Sequence, residues 1–465
     1  MLGSDSLLGN KLAPMASNTT QTSRADETGS HWEALVDYSA SLDCIRCGLC
    51  LRTCPTYTLT GRESSSPRGR IHLMRAVGEG RLEPDAVFAE EMNFCLGCRN
   101  CESVCPAGVE FGQMMNHTRA GLEMSNTRSP KGRFLRWLGL RVLLPNRRAL
   151  GLAAILARLG AQTGLMKLVT PLLGSTLPPA EDLPLVPSRK QRRPLAARTE
   201  AIGEQQEEVI LLEGCLMPVY LGRVNRASVR VLSATGVAVL APSKAGCCGA
   251  MHAHNGDSEG ARKLALGLMA VYGSPTDSSG APLPIVVNSA GCGSHMKEYA
   301  ELFEPGSSDH AAATAFAKRV VDWNEYLEPR LHRLPASPPK DAIHKVLGRG
   351  DATWDAPCHL CHGQGIREEP LAILDAALEK AGIHRVPLHE SESCCGSAGS
   401  YSLTHRGAAN ELLEGKLDNL EASGASLLVT SNPGCQLQWE LGVRRRKLDV
   451  RVAHIAEVVA ATLPS

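Results

Sequence analysis

Two short blocks constrain this chain more than anything else in it: CIRCGLCLRTCP at Cys44–Pro55 and CLGCRNCESVCP at Cys95–Pro106. Both read C-x2-C-x2-C-x3-C-P. Three thiols two residues apart let a tight loop curl round one corner of a cube. The fourth then reaches a neighbouring cube, which is the bacterial-type signature for two 4Fe-4S clusters. The expected ligand sets are Cys44, Cys47, Cys50 and Cys105 for one cluster, and Cys95, Cys98, Cys101 and Cys54 for the other. Pro55 and Pro106 fix φ and lack an N–H, which turns the chain away from each cluster. Gly48 and Gly97 suit loop positions of positive φ. Zinc prefers isolated four-ligand sets with larger gaps, so eight cysteines in two identical runs fit it poorly.

With 465 residues the chain has room for roughly three domains. Its 49 basic and 48 acidic residues leave a net charge of +1, which gives no reason to expect a nucleic-acid partner. The 17 cysteines, mostly in metal-type spacings, point to thiolate ligation in a reducing compartment, the cytoplasm, rather than to secreted disulfides. A membrane span needs ~20 apolar residues. The longest apolar region, 134–173, is interrupted by Arg136, Arg141, Arg147, Arg148, Arg158 and Lys167. The polar first 30 residues lack an apolar signal region and are expected to be disordered; as a transit peptide they are weak.

In chain order, residues 31–40 read as a short helix leading into the first cysteine run. Residues 56–93 have the length of paired helices, with Ser66 before Pro67 as a start signal. Arg68, Arg70 and His72 fall beside the clusters, either to screen their charge and grip a partner or as a solvated basic helix start. Met114, Met115, Leu122 and Met124 read as core. Residues 131–174 alternate apolar and basic positions at helical spacing. Such a helix packs on its own protein or a partner, or lies on the inner face of the cell membrane. The Pro- and Arg-rich 178–198 segment reads as a linker.

From Glu208 the chain repeats itself. EVILLEGC, KAGCCGAM, PIVVNSAGCGSH and RVVDWNEYL in 208–327 are matched by ATWDAPCHLCHG, SESCCGSAG, SLLVTSNPGCQLQ and RVAHIAEVV in 352–459. Short apolar runs ending in cysteine alternate with helical segments such as 260–272 and 408–420. That is the α/β pattern of a parallel sheet, with ligands gathering at the carboxyl ends of strands. Residues 365–374 read as a helix start with acidic residues in the first turn. The stretches 273–284 and 334–350 read as surface loops. Each copy supplies C…CCG…C: Cys215, Cys247, Cys248 and Cys292, then Cys358, Cys394, Cys395 and Cys435. Adjacent cysteines form a disulfide with each other only under strain, but both can ligate a multi-iron cluster, with Gly249 and Gly396 leaving space beside it. A 4Fe-4S cluster and a zinc ion both remain open in each copy. Cys361 is an extra thiol. His295 falls three residues after Cys292, and a hydrogen-bonded loop histidine is the favoured reading over a ligand.

This combination resembles the iron–sulfur subunits of glycolate oxidase (glycolate dehydrogenase), over about residues 37–459. SPRGRI (66–71), CHLCHGQGI (358–366), CCGSAGSY (394–401) and NPGC (432–435) carry the likeness. The architecture is also similar to the C subunit of anaerobic glycerol-3-phosphate dehydrogenase. The CCG copies alone resemble the B subunit of heterodisulfide reductase and lactate-utilisation proteins. Reductase-type copies end in C-x2-C; here the endings are CGSH and CQLQ, so a disulfide-cleaving centre is in doubt. The resemblance implies an α+β and α/β multidomain chain. A helical two-cluster ferredoxin-type module (31–125) precedes an amphipathic connector and linker (126–207) and two α/β CCG domains (208–334 and 351–463). It also implies separate FAD-binding flavoprotein subunits that oxidise glycolate to glyoxylate, with a quinone-type acceptor. No G-x-G-x-x-G follows a strand here, and no residue of this chain is expected to be catalytic. Two alternatives stay open: an iron–sulfur subunit of disulfide reductase-like or lactate or glycerol 3-phosphate oxidation, and a non-catalytic metal-binding scaffold.

Overall fold

The computed structural model describes residues 35–125, 130–163 and 179–464, apart from 245, 274 and 278. The N-terminal extension, the start of the expected first helix and residues 164–174 of the connector lie outside the described residues. The segment between the cysteine runs folds into helices Pro55–Thr60, Pro67–Gly78 and Ala86–Asn93, and helix Phe111–Met124 follows the second run. Ser66 Oγ accepts the Gly69 N–H at 3.0 Å with Pro67 in the first turn, as the sequence indicates. These helices bury Met74, Val77, Phe88, Met92, Met114 and Met115 against one another. Met124 does not join them and is 72 % exposed. Arg70 departs further from a solvated helix start. Its side chain is fully buried, and its Nε donates to the Glu91 carbonyl at 2.8 Å.

The two repeats form two mostly parallel sheets. The first has strands β1 (Arg198–Thr199), β2 (Glu207–Leu212), β3 (Val237–Leu240), β4 (Ile285–Val287) and β5 (Val320–Asp322) in the order β1-β3-β2-β4-β5, with only β1 antiparallel. The second has β6 (Ala352–Trp354), β7 (Leu427–Thr430) and β8 (Arg451–His454) in sequence order, all parallel. A lone parallel bridge from Ala352 to Arg385 stands where the first copy has β3. The duplication is therefore strand for strand, with β1 added to the first copy by the expected linker.

Both faces of these strands are covered, as parallel sheets require. Val209 and Leu211 of β2 point into one packed group, Ile210 and Leu212 into another. The first group also holds Ala352, Trp354, Leu427, Val429 and Ala453, so the two copies share a single core. Ile343 and Leu347 enter it from helix Lys340–Leu347. The stretch 334–350 is thus not a plain surface loop: two of its apolar residues, four apart, cover the joint between the copies.

Candidate metal centres

Both N-terminal cysteine loops take one backbone shape. Arg46 and Gly48 have φ of 60° and 85°, and Gly97 and Arg99 have 65° and 63°. Positive φ therefore recurs two and four residues after Cys44 and after Cys95, with the glycine at alternate places. The sequence reading found the glycines and missed the arginines, because only glycine advertises this region; an arginine held there is strained. Arg99 is tied down by Glu102 at 2.8 Å and by an ion pair to Glu298.

Cys44, Cys47, Cys50 and Cys105 wall one hollow, which Cys101 also touches. Cys54, Cys95, Cys98 and Cys101 wall a second. Cys47 is exposed, while Cys54 and Cys98 are buried. Thr56 Oγ1 lies 3.3 Å from Cys54 Sγ, accepts from Arg70 at 3.1 Å and donates to the Ser65 carbonyl at 2.7 Å. Arg70 therefore acts on Cys54 through Thr56, a role no spacing in the sequence reveals. Arg68 is paired with Glu63 at 2.7 Å, and its guanidinium lies over Gly48. His72 is exposed. Burial pushes the Cys98 and Cys101 thiols well above the usual range, and neighbouring thiols add to it. Holding such sulfurs as thiolates takes a cationic partner, which a metal cluster supplies.

In the repeats Cys215 follows β2, Cys292 lies in helix Ala290–Lys297 after β4, and Cys435 lies in helix Pro433–Arg446 after β7. The thiols of each quartet act on one another. Cys215 and Cys248 hold the Cys247 thiol well below the usual range, and Cys247 and Cys292 push Cys248 up. In the second copy Cys394 holds Cys358 down, and Cys394 and Cys435 hold Cys395 down. All eight cysteines line one cavity of about 350 Å³ between the copies, which Cys95, Leu96, Gly97 and Arg119 of the N-terminal module also line.

Gly249 (φ 87°) and Gly396 (φ 81°) leave room for protein, not only for a cofactor. A Cβ there would stand 3.3 Å from the Ala261 carbonyl oxygen and 2.6 Å from that of Ala409. The glycine of each CCG lets a later helix, Ser258–Tyr272 in the first copy and Arg406–Ser423 in the second, pack against the paired cysteines. His295 is not a loop residue. It sits in helix Ala290–Lys297, buried, with Nε2 unpartnered and 3.6 Å from where a Gly249 Cβ would be. Cys361 stands apart from its quartet, grouped with His362 and Glu392, whose carboxylate is held by Arg367.

Donor spacing bears on whether a quartet suits a multi-iron cluster or one zinc ion. Four thiolates ~2.3 Å from a single zinc in a tetrahedron stand roughly 3.8 Å apart. Among the described residues the only three such donors all within 4.8 Å of one another are Cys361, His362 and Glu392. No three thiols of one quartet come that close among the described residues, which suits thiolates set around a cluster.

A helical module with two such thiol sets, joined to a duplicated α/β unit with two more, defines the class: an iron–sulfur protein with no nucleotide fingerprint of its own. Residues 40–109 match the 4Fe-4S dicluster domain, and residues 209–297 and 352–440 each match the Cysteine-rich domain. The glycolate oxidase iron-sulfur subunit of Escherichia coli (strain K12) is 32% identical over 449 residues, 95% of this chain and 99% of that protein. The probable glycolate oxidase iron-sulfur subunit of Bacillus subtilis (strain 168) is 32% identical over 434 residues, covering 91% and 94%. Lactate utilization protein A of Geobacillus kaustophilus (strain HTA426) is 26% identical over 254 residues, 55% of this chain. The chain belongs to the family of glycolate oxidase iron–sulfur subunits.

Proposed function

We propose that this chain relays electrons within a flavin-dependent 2-hydroxyacid dehydrogenase, most directly one that oxidises glycolate to glyoxylate. FAD-binding partner subunits perform the oxidation, and a quinone-type acceptor takes the electrons. The observation that carries this reading is the run of thiol sets from exposed Cys47, through buried Cys54 and Cys98, to the cavity between the repeats. Bound 4Fe-4S clusters would supply one-electron carriers there. In our assignment Cys44, Cys47, Cys50 and Cys105 hold one, and Cys95, Cys98, Cys101 and Cys54 the next. Cys215, Cys247, Cys248 and Cys292, then Cys358, Cys394, Cys395 and Cys435, each hold a further cluster. The protein's part is to bury the inner sulfurs, exclude water and set the hydrogen bonds that tune potential.

Co-purification tests the reading. A flavoprotein is expected to come down with the chain, and glycolate is expected to bleach the brown complex. Bleaching by lactate or glycerol 3-phosphate instead would reassign the substrate.

No described helix is long and apolar enough to cross a membrane. For peripheral contact we propose Leu152, Leu156 and Leu159, each at least half exposed on helix Arg147–Gln162 with Arg148 beside them. Flotation of the chain with anionic vesicles, lost in a triple Leu→Ser variant, is the expected result.

A further inference from the structure

The two repeats do not meet the N-terminal module in the same way. Cys98 is packed in one apolar group with Leu96, Tyr401, Ala409 and Cys394, and Cys358 lies against that group. Phe94 adds a ring contact to Tyr401 at 6.2 Å.

Facing the first repeat, the same module presents charge. Arg99 pairs with Glu298, and Arg119 donates to the His254 carbonyl at 3.1 Å. Among the described residues no cysteine of the first repeat shares a packed group with a cysteine of the module, although Cys95 lines the cavity that both repeats face. Cys215 and Cys247 pack instead with Leu140 and Leu144 of the connector.

We infer that electrons leave the N-terminal module for the second repeat, crossing from the Cys98 side to the Cys358–Cys394 side, and reach the first repeat only afterwards, across the shared cavity. The chain thus visits its four thiol sets out of sequence order, with Cys358, Cys394, Cys395 and Cys435 third and Cys215, Cys247, Cys248 and Cys292 last. One electron moves at each crossing. The donor side is oxidised by one, the acceptor side is reduced by one, and no bond forms or breaks. The electrons come from the reduced flavin of the partner.

The inference rests on the reading that each repeat holds a cluster, and the test separates the two. Iron is first counted in the full-length chain purified anaerobically. Iron sufficient for the N-terminal module alone ends the reading, and the order with it.

With iron in all four places, pulsed dipolar spectroscopy on the reduced, unsubstituted chain gives the spacings directly. The second-repeat signal is expected to couple to the module more strongly than the first-repeat signal. Cys435→Ser and Cys215→Ser identify which is which. Removing the second-repeat centre is expected to relieve the broadening of the module's spectrum; removing the first-repeat centre is expected to leave it unchanged. The reverse pattern, or equal coupling to both repeats, overturns the order while leaving the electron-transfer reading intact.

Discussion

The two repeats carry the same thiols on the same strands, yet each is finished differently. Each has one buried acid just ahead of its first cysteine. In the second repeat Asp355 pairs with Lys416 at 2.7 Å, and both are all but sealed from solvent within that repeat. In the first, Glu213 pairs with Arg147 at 3.0 Å, and Arg147 comes from the connector. The strand-end caps differ too. Asp322 begins helix Trp323–Leu327 and His454 begins helix Ile455–Ala461, each in a capping box with the glutamate three residues on. Burial drives Asp322 up to about 7 and His454 down to about 4, the latter against the pull of Glu457 and of the Asn288 carbonyl. In both caps burial thus works against the charged form. A duplicated scaffold keeps the thiol arrangement fixed and leaves the surrounding charge free to diverge.

The sharpest break of that comparison is Lys416→Met. It strands the Asp355 carboxylate in the core, and removing one partner of a buried pair costs ~3–5 kcal/mol. Chemical unfolding is expected to show a loss of that order, with iron lost from the second repeat first. Arg147→Met should cost less, about 1–3 kcal/mol, because Arg147 is partly solvated and the acid is linked to a separate element. Equal losses would show that the origin of the cation is irrelevant.

The caps predict pH slopes of opposite sign. A raised folded pKa makes the Asp322 contribution fully present below about pH 4 and lost as pH rises through about 7. A lowered one makes the His454 contribution present above ~6.5 and lost as pH falls through about 4. Relative to the parent chain, Asp322→Asn should flatten the first slope and His454→Asn the second, read from urea midpoints between pH 5 and 8.

Smaller effects are expected on potential. His359 Nδ1 lies 3.5 Å from Cys358 Sγ, and a hydrogen bond to a charged sulfur worth about 1.5 kcal/mol corresponds to about 60 mV for one electron. His359→Leu should lower the second-repeat midpoint by about that much and leave the first unmoved in a redox titration. Arg68→Glu should give the smallest shift, downward and confined to the Cys44–Cys50 site, because Glu63 already offsets the arginine.

Much of this was legible in the chain itself. Cysteine spacing announced the thiol sets, and apolar runs ending in cysteine announced the parallel sheets. What stayed hidden depends on contacts between distant segments. Arg70 looks like any basic helix-start residue until Thr56 and the Glu91 carbonyl surround it. Helix Lys340–Leu347 hides because it is only eight residues long and follows a Pro-rich stretch. The positive φ of Arg46 and Arg99 leaves no compositional trace. His295 reads as a loop residue until the helix that carries it is seen.

The core common to both repeats has a consequence for the chain's history. His454 reaches across to the Asn288 carbonyl at 3.1 Å, and the sheets press the same apolar side chains together. Cut between them, each half would present a greasy slab to water. A lineage built this way cannot discard either half when its redox task lapses; it can only let the thiols drift while the scaffold is retained as ballast.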